Sequence, residues 1–178
     1  MNRRLLLASI ATLPATRVIA QSTSPPAPPP SASTDARQKH IRDTMAYGSL
    51  SLLLSRAAKS KVTHPMLKQF VDFEIAEQET VADALKAIQT NAAPSGSIPS
   101  PSDADLMQNL DDAGKASVEK LRAMHAGSEF DRDYIRYEVE GIGSSSTFRN
   151  LDQTNVAKLA QGMIKEHLTL LANLDKAV

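Results

Sequence analysis

The sequence predicts an all-α fold, an up-down bundle of four long helices with an additional helical crossover segment. Apolar residues recur at steps of three and four over several long stretches, which is the period of an amphipathic helix. No stretch shows convincing alternation of period two. Trp is absent and aromatic residues make up 4% of the chain, so a strand-rich fold has little support.

The first twenty residues are typical of an export signal. Arg3 and Arg4 precede a short apolar run, residues 5–13, and Ala20 is a small residue that suits signal peptidase. The run is too short to cross a bilayer of about 30 Å as a helix, which favours a signal peptide (residues 1–20) over an uncleaved anchor. We expect a periplasmic or secreted protein cleaved near Ala20, exported by general secretion, with the twin-arginine route as the alternative.

Charge and cysteine content narrow the classes of partner. The 20 basic and 20 acidic residues become 17 and 20 once Arg3, Arg4 and Arg17 are removed, a net charge of −3. A mildly acidic protein has no field that attracts nucleic acid or an anionic membrane. We therefore expect no nucleic acid partner and no membrane span after cleavage, but an unknown protein or small ligand; an oligomer stays open. Without cysteine, stability must come from the apolar core.

Residues 21–34 form a Pro/Ser-rich segment with five prolines before position 31. Such a composition has nothing to bury and favours polyproline II structure, so we expect a disordered tether ahead of a bundle domain at 35–178. A proline-rich docking ligand is the alternative.

The first helix is expected to begin at Thr34 or Asp35, either of which can cap it, and to end near Lys61. A short link with Pro65 in the next turn then places the second helix antiparallel to the first. The first helix carries one apolar stripe thickened by leucines: Ile41, Met45, Gly48, Leu52 and Ala58, with Leu50, Leu53 and Leu54.

The second helix, ending at Thr90, has a polar break in its apolar seam. Glu74 and Gln78 occupy two inward steps between apolar positions, which are Leu67, Phe70, Val71, Val81, Leu85 and Ile88. An inward carboxylate and amide in a bundle form either a satisfied hydrogen-bond network or part of a ligand site.

Prolines and a glycine in residues 91–101 exclude a continuous helix there. Ser102 or Asp103 can cap the crossover segment, expected from Ala104 to Met124. Its thin apolar stripe is Leu106, Leu110, Ala113, Val118 and Leu121.

The next helix should extend from Phe130 to about Asn150, with either a bend or close approach of a neighbour at the glycines near residue 141. Its expected inward residues are Tyr134, Glu138, Ile142, Ser145 and Phe148. A final helix capped by Thr154 and ending at Lys176 turns His167 inward.

Glu74, Gln78, Glu138 and His167 thus form a candidate inward polar cluster. A di-iron carboxylate bundle also needs Glu-x-x-His motifs, and Ile164 stands three residues before His167, so ferritin-type oxidase chemistry is not expected. We expect the four side chains to hydrogen-bond one another, with a mononuclear metal or small-molecule site as the alternative. No catalytic residue and no cofactor is predicted.

The remaining histidines are expected at the surface. His40 and His64 are placed at helix starts, and His125 at a helix end.

The phrase Phe130-Asp131-Arg132-Asp133-Tyr134, with the polar break in the second helix and the inward His167, resembles the domain-of-unknown-function 4142 family. Its members are regarded as exported bacterial ferritin-like four-helix bundles, and the similarity covers about His40 to Leu174. The resemblance implies a ferritin-like fold and an envelope compartment. Because the family's function is unassigned, it implies little about activity.

The resemblance also implies a ligand pattern that this chain does not keep. The family typically has an acidic residue, an Asp-His pair and two further histidines on its four helices. Ser51, the Glu77-Gln78 pair and Ile142 stand at the first three positions, and only His167 is retained. We expect a non-enzymatic envelope protein with a binding, structural or stress-related role. Exposed leucines among Leu50, Leu53 and Leu54 would instead indicate an oligomerising surface.

Overall fold

The computed structural model describes residues 30–90, 100–144 and 155–178. These ranges contain six helices and no strand, which confirms the all-α prediction: α1 Pro30–Ala58, α2 Pro65–Thr90, α3 Asp103–Gln108, α4 Asp112–Ala123, α5 Ser128–Ser144 and α6 Asn155–Asp175. The predicted export signal, residues 21–29 of the tether and the Thr154 cap lie outside the described residues. Within the described ranges, every helix is too short or too polar to cross a bilayer.

Helix α1 is the element around which the others pack. It begins at Pro30, ahead of the predicted Thr34 or Asp35, because a proline at the first helical position lacks only an N–H that would have no helical partner. His40 therefore lies inside α1, and its predicted place at a helix start was wrong. All residues from Ser51 to Ser55 are buried, and α1 contacts α2, α3, α4 and α5.

The burial of α1 also tests the alternative that exposed leucines form an oligomerising surface. Leu53 and Leu54 have no exposed surface and Leu50 is half-buried, so the alternative of an oligomerising surface built on these leucines is not supported. These side chains fill the interior instead. An oligomer, if it forms, must use another surface.

Helix α2 runs antiparallel to α1 and has the predicted bounds. Its first half buries the predicted seam, but its last turn buries Ala87 and leaves Ile88 48% exposed, contrary to the prediction. A pattern of three- and four-residue steps drifts around a helix of 3.6 residues per turn, which explains a rotated last turn.

The crossover segment, predicted as a helical segment from Ala104 to Met124, consists of two short helices, α3 and α4. Ser102 caps α3 as expected, and Asp111 caps α4 by accepting a 2.8 Å hydrogen bond from the Gly114 backbone N–H. That second cap starts a new helix and interrupts the first. It also turns Gly114 inward, so Ala113 is exposed, contrary to the prediction.

Helix α5 continues without interruption past Gly141, which is buried against α1. A Cβ there would lie 3.5 Å from Leu50 Cδ2, an ordinary contact, so close approach does not require this glycine. Tyr134 and Glu138 are buried as predicted, whereas the side chains of Ile142, Ser145 and Phe148 lie outside the described part of the chain.

Helix α6 packs against α5 and brings His167 to α2.

Candidate functional site

The four residues of the predicted polar cluster lie in one layer across α2, α5 and α6. Glu74 and Glu138 are each 1% exposed, and Gln78 is also buried. Gln78 Nε2 donates a 2.8 Å hydrogen bond to Glu74 Oε1, and His167 Nδ1 lies 3.1 Å from Glu74 Oε2. Glu138 reaches this group through a serine of α1. We call these side chains, with Ser51, Ser55, Glu77 and Tyr134, the polar layer.

Ser51 is the centre of the polar layer. Its Oγ lies 2.6 Å from Glu74 Oε1 and 2.9 Å from Glu138 Oε2, so a single hydroxyl faces two carboxyl groups. A hydroxyl has one proton and can donate only one hydrogen bond. The second contact is satisfied only if a carboxyl is protonated and donates to Ser51. Two ionised carboxylates sharing this buried site would also repel each other.

The remaining contacts show which carboxyl holds the proton. Glu138 lies on the side away from His167, and its Oε1 is 3.3 Å from Ser55 Oγ, which lies 2.8 Å from Tyr134 Oη. In one consistent arrangement of the protons, Tyr134 donates a hydrogen bond to Ser55 and Ser55 donates to Glu138. Glu138 then donates to Ser51, and Ser51 donates to Glu74. Burial, and then the negative charge of Glu74, raises the pKa of Glu138 well above its ordinary value. Glu138 is therefore the neutral acid.

His167 supplies the positive charge of the layer. Its Nδ1 faces Glu74 Oε2 at 3.1 Å and its Nε2 faces Glu77 Oε2 at 3.2 Å, so both ring nitrogens face acceptors. Only an imidazolium can present a proton to both. The contacts with Glu74 and then Glu77 raise the pKa of His167 to about 10. The Nδ1 contact is an ion pair, because no aligned hydrogen bond reaches Glu74 Oε2 from the described residues.

Glu74 is the ionised carboxylate of the layer. Burial alone would raise its pKa, but the contacts with His167 and Ser51 outweigh burial and lower it. The ring of Phe70 packs edge-on against His167 with the ring centroids 5.5 Å apart and limits the movement of the imidazole. Burial likewise raises the pKa of Tyr134, which keeps its hydroxyl protonated as a donor.

Most hydrogen-bond donors and acceptors of the polar layer bond to other members of the layer. Metal ligation by His167 would require loss of its proton and release of one carboxylate. Within the ranges that the structure covers, no group of three or more His, Asp or Glu side chains has an arrangement that could hold a metal ion.

A second constellation explains the Phe130 to Tyr134 phrase. The carboxylate of Asp131 accepts hydrogen bonds from the Thr63 N–H at 3.0 Å, the Thr63 hydroxyl at 2.6 Å and the His64 N–H at 3.0 Å. It thereby holds the start of α2, where a negative charge also favours the helix dipole. Phe130 is fully buried beneath Lys61. The phrase is a structural latch between α5 and α2.

Arg132 completes the latch at the other end of the chain. Its guanidinium donates a 2.7 Å hydrogen bond to the backbone carbonyl of Val178.

Sequence reasoning missed Ser55 and gave Ser51 no bonding role. Their signal was available, since two serines four residues apart in a run of buried leucines share one helix face. Sequence reasoning also missed Asp131 as a cap, because its partners precede it by 67 and 68 residues. Of the other histidines, His64 is half-buried beside the latch and His125 is exposed after α4.

The comparisons with known proteins give a family and no activity. The model of the family described as "Domain of unknown function (DUF4142)" matches residues 21–145. This range includes α1 to α5 and the Phe130 to Tyr134 phrase, and leaves α6 with His167 outside. No curated protein and no solved structure matches the chain. Since the match covers more than half of its residues, the chain belongs to the domain-of-unknown-function 4142 family.

Proposed function

We propose that the protein is an exported, non-enzymatic helical bundle of the bacterial envelope with a binding role. The export signal in residues 1–20 supports its compartment, and the family match begins at residue 21, the first residue after the expected cleavage site. The arrangement of α1, α2, α5 and α6, with α3 and α4 as the crossover, supports a ferritin-like bundle. The bundle is a rigid scaffold, and the polar layer fixes the register of its helices.

The observation that carries the non-enzymatic role is the proton order of the polar layer. Glu138 is neutral and bonded on both oxygens, and Ser51 joins the two carboxyl groups. A general acid or base must be able to release or take a proton near a substrate. These groups exchange hydrogen bonds with one another inside the bundle, which suits specification of one helix register.

An assay of turnover tests this role. Mature protein purified without a histidine tag is incubated with Fe²⁺ and dioxygen or peroxide, and oxidant consumption is recorded. We expect the rate of buffer containing Fe²⁺ alone. Consumption well above that rate, abolished by His167→Ala and retained by the control His125→Ala, would overturn the proposal.

The second candidate function is metal binding at the edge of the polar layer, which would require these side chains to move, because their present arrangement does not form a metal site within the described residues. It is favoured by Glu74 Oε2, a buried oxygen with no aligned hydrogen bond, which lies beside His167 and close to the half-buried Glu77. Elemental analysis of the tag-free protein separates the candidates. Stoichiometric metal that survives dialysis and disappears in His167→Ala supports a metal site, whereas metal that dialysis removes counts against it.

Fractionation of the producing cells tests the compartment. We expect the protein in the osmotic-shock fraction with Gln21 as its first residue. Leu6→Asp places a charge in the apolar run of the signal and should retain the full-length precursor in the cytoplasm, whereas Ser24→Asp beyond the cleavage site should export normally. A wild-type protein that stays in the cytoplasm at full length would refute export.

A further inference from the structure

A groove lies beside the polar layer, between α1, α2 and residues 100–109. Its volume is about 520 Å³, within the range of small-molecule sites. The apolar part of its wall comes from all three elements: Met45, Val81, Leu85, Pro101 and Leu106. Such a wall can cover an apolar body of modest size.

The floor of the groove depends on Gly48. A Cβ at this position would lie 2.9 Å from Gln78 Oε1, closer than real side chains approach. Gln78 is buried, donates through Nε2 to Glu74 in the polar layer, and also lines the groove. The missing side chain at Gly48 therefore leaves room for the amide carbonyl, a hydrogen-bond acceptor, at the floor.

Asp83 on α2 gives the groove an unmatched negative group. Its Oδ1 is buried and has no hydrogen-bond partner among the described residues. A buried carboxylate oxygen without a donor is unfavourable, and a cationic donor is its strongest partner. Lys86 also lines the groove but is exposed, and within the described ranges it forms no ion pair with Asp83.

Arg56 of α1 forms its ion pairs with carboxylates other than Asp83. Arg56 donates to the Pro101 carbonyl at 2.9 Å, to Asp103 at 2.7 Å and to Glu79 at 3.0 Å. It thereby fixes the rim of the groove in place. None of these Arg56 bonds reaches Asp83 within the described residues.

We propose that this groove binds a small amphipathic cation, with the apolar body against Met45, Leu85 and Leu106 and a protonated amine on Asp83. Charge complementarity selects the amine, since the partly exposed Asp83 carboxylate lines the groove and has no ion pair within the described residues. The groove volume and the apolar wall select a compact hydrocarbon body over a polyion. This inference rests on the proposed binding role and names its ligand class.

Calorimetric titration of the mature protein with three matched probes tests the inference. The probes are 4-phenylbutylammonium, 4-phenylbutanol and 4-phenylbutyrate, which share a body and differ in head group. We expect one saturable site for the ammonium with a Kd at or below about 1 mM, and binding of the alcohol and carboxylate at least about tenfold weaker.

Two variants connect the binding to Asp83. Asp83→Asn keeps the shape of the side chain and should weaken the ammonium about tenfold while leaving the alcohol unchanged. The control is Asp72→Asn, which removes an exposed carboxylate of α2 that pairs with Lys59 outside the groove. Circular dichroism confirms that both variants keep their helix content.

Each outcome of the titration either supports or refutes the inference. Equal binding of all three probes, equal weakening by Asp72→Asn, or no saturation by the ammonium would overturn the inference. Equal binding would still leave a binding role in place, so it would refute the ligand class alone. Turnover of oxidant or a cytoplasmic location would instead refute the proposed function, whatever the titration shows.

Discussion

Replacement of Glu138 by glutamine tests the proton order of the polar layer. If Glu138 is a neutral acid that donates to Ser51 and accepts from Ser55, an amide of nearly the same shape can make both bonds. An ionised Glu138 could not be replaced in this way, because its oxygens would both be acceptors. Glu138→Gln should therefore fold, and its stability relative to wild type should depend on pH.

The size of the stability difference follows from the proton that Glu138 must bind when the protein folds. The unfolded carboxyl has an ordinary pKa of 4.5, whereas burial raises the pKa of Glu138 in the folded protein. A raised pKa makes wild-type stability fall as pH rises above 4.5, by about 1.4 kcal/mol for each unit. A folded protein that still holds this proton at pH 7 is therefore about 3 kcal/mol less stable there than at low pH, whereas at pH 4 the proton costs almost nothing. The glutamine avoids this cost.

The amide has a cost of its own. Its second N–H is a donor that the acid lacks, and a buried donor left without an acceptor costs about 1–2 kcal/mol. Glu138→Gln should therefore be about 1–2 kcal/mol more stable than wild type at pH 7 and less stable by a similar amount at pH 4.

Urea unfolding followed by circular dichroism at pH 4, 5.5 and 7 measures this difference. The control is Glu140→Gln on the exposed side of α5, which should change stability little at any of these pH values. A glutamine variant that is less stable at pH 7 by more than about 1 kcal/mol, or whose difference from wild type does not change with pH, would refute the proton order.

Three further substitutions test the layer and the latch. His167→Ala should cost about 3 kcal/mol at pH 6, because it leaves the buried Glu74 carboxylate without its cation. The pKa of His167 is raised from 6.5 to about 10. The stability that wild type has over His167→Ala should therefore be fully present below pH 6.5 and lost as pH rises through 10. Urea unfolding at pH 6, 8 and 10.5 measures this difference. Ser51→Ala should cost about 2 kcal/mol in the same assay, because it removes the hydroxyl that joins two buried carboxyl groups. The control is Ser60→Ala at an exposed position. A stability loss for Ser51→Ala no larger than that of the control would contradict the bridge. Asp131→Asn should lower the free energy of unfolding by about 2 kcal/mol through weaker capping of α2, measured against Asp133→Asn, whose surface pair with Arg136 contributes less.

Much of the fold could be predicted because helical periodicity is a local property. The bounds of α2 and the inward direction of Glu74, Gln78 and Glu138 follow from spacing within a single helix. The structure departed from the expectation where two local signals competed. The crossover split at Asp111, where a cap competed with continuation of the helix, and Ile88 faced outward at the end of a long seam.

The sequence by itself determined the helical class, the polar break in α2 and the residues available for a polar layer, since composition and period require no knowledge of neighbours. Only the tertiary structure decided that Ser51 of α1 joins Glu74 to Glu138, that Asp131 holds the start of α2, and that Asp83 Oδ1 has no hydrogen-bond partner among the described residues. Hydrogen bonds and proton positions depend on distances of about 3 Å between different helices. Those distances are set by how the helices pack, which spacing within one helix does not encode.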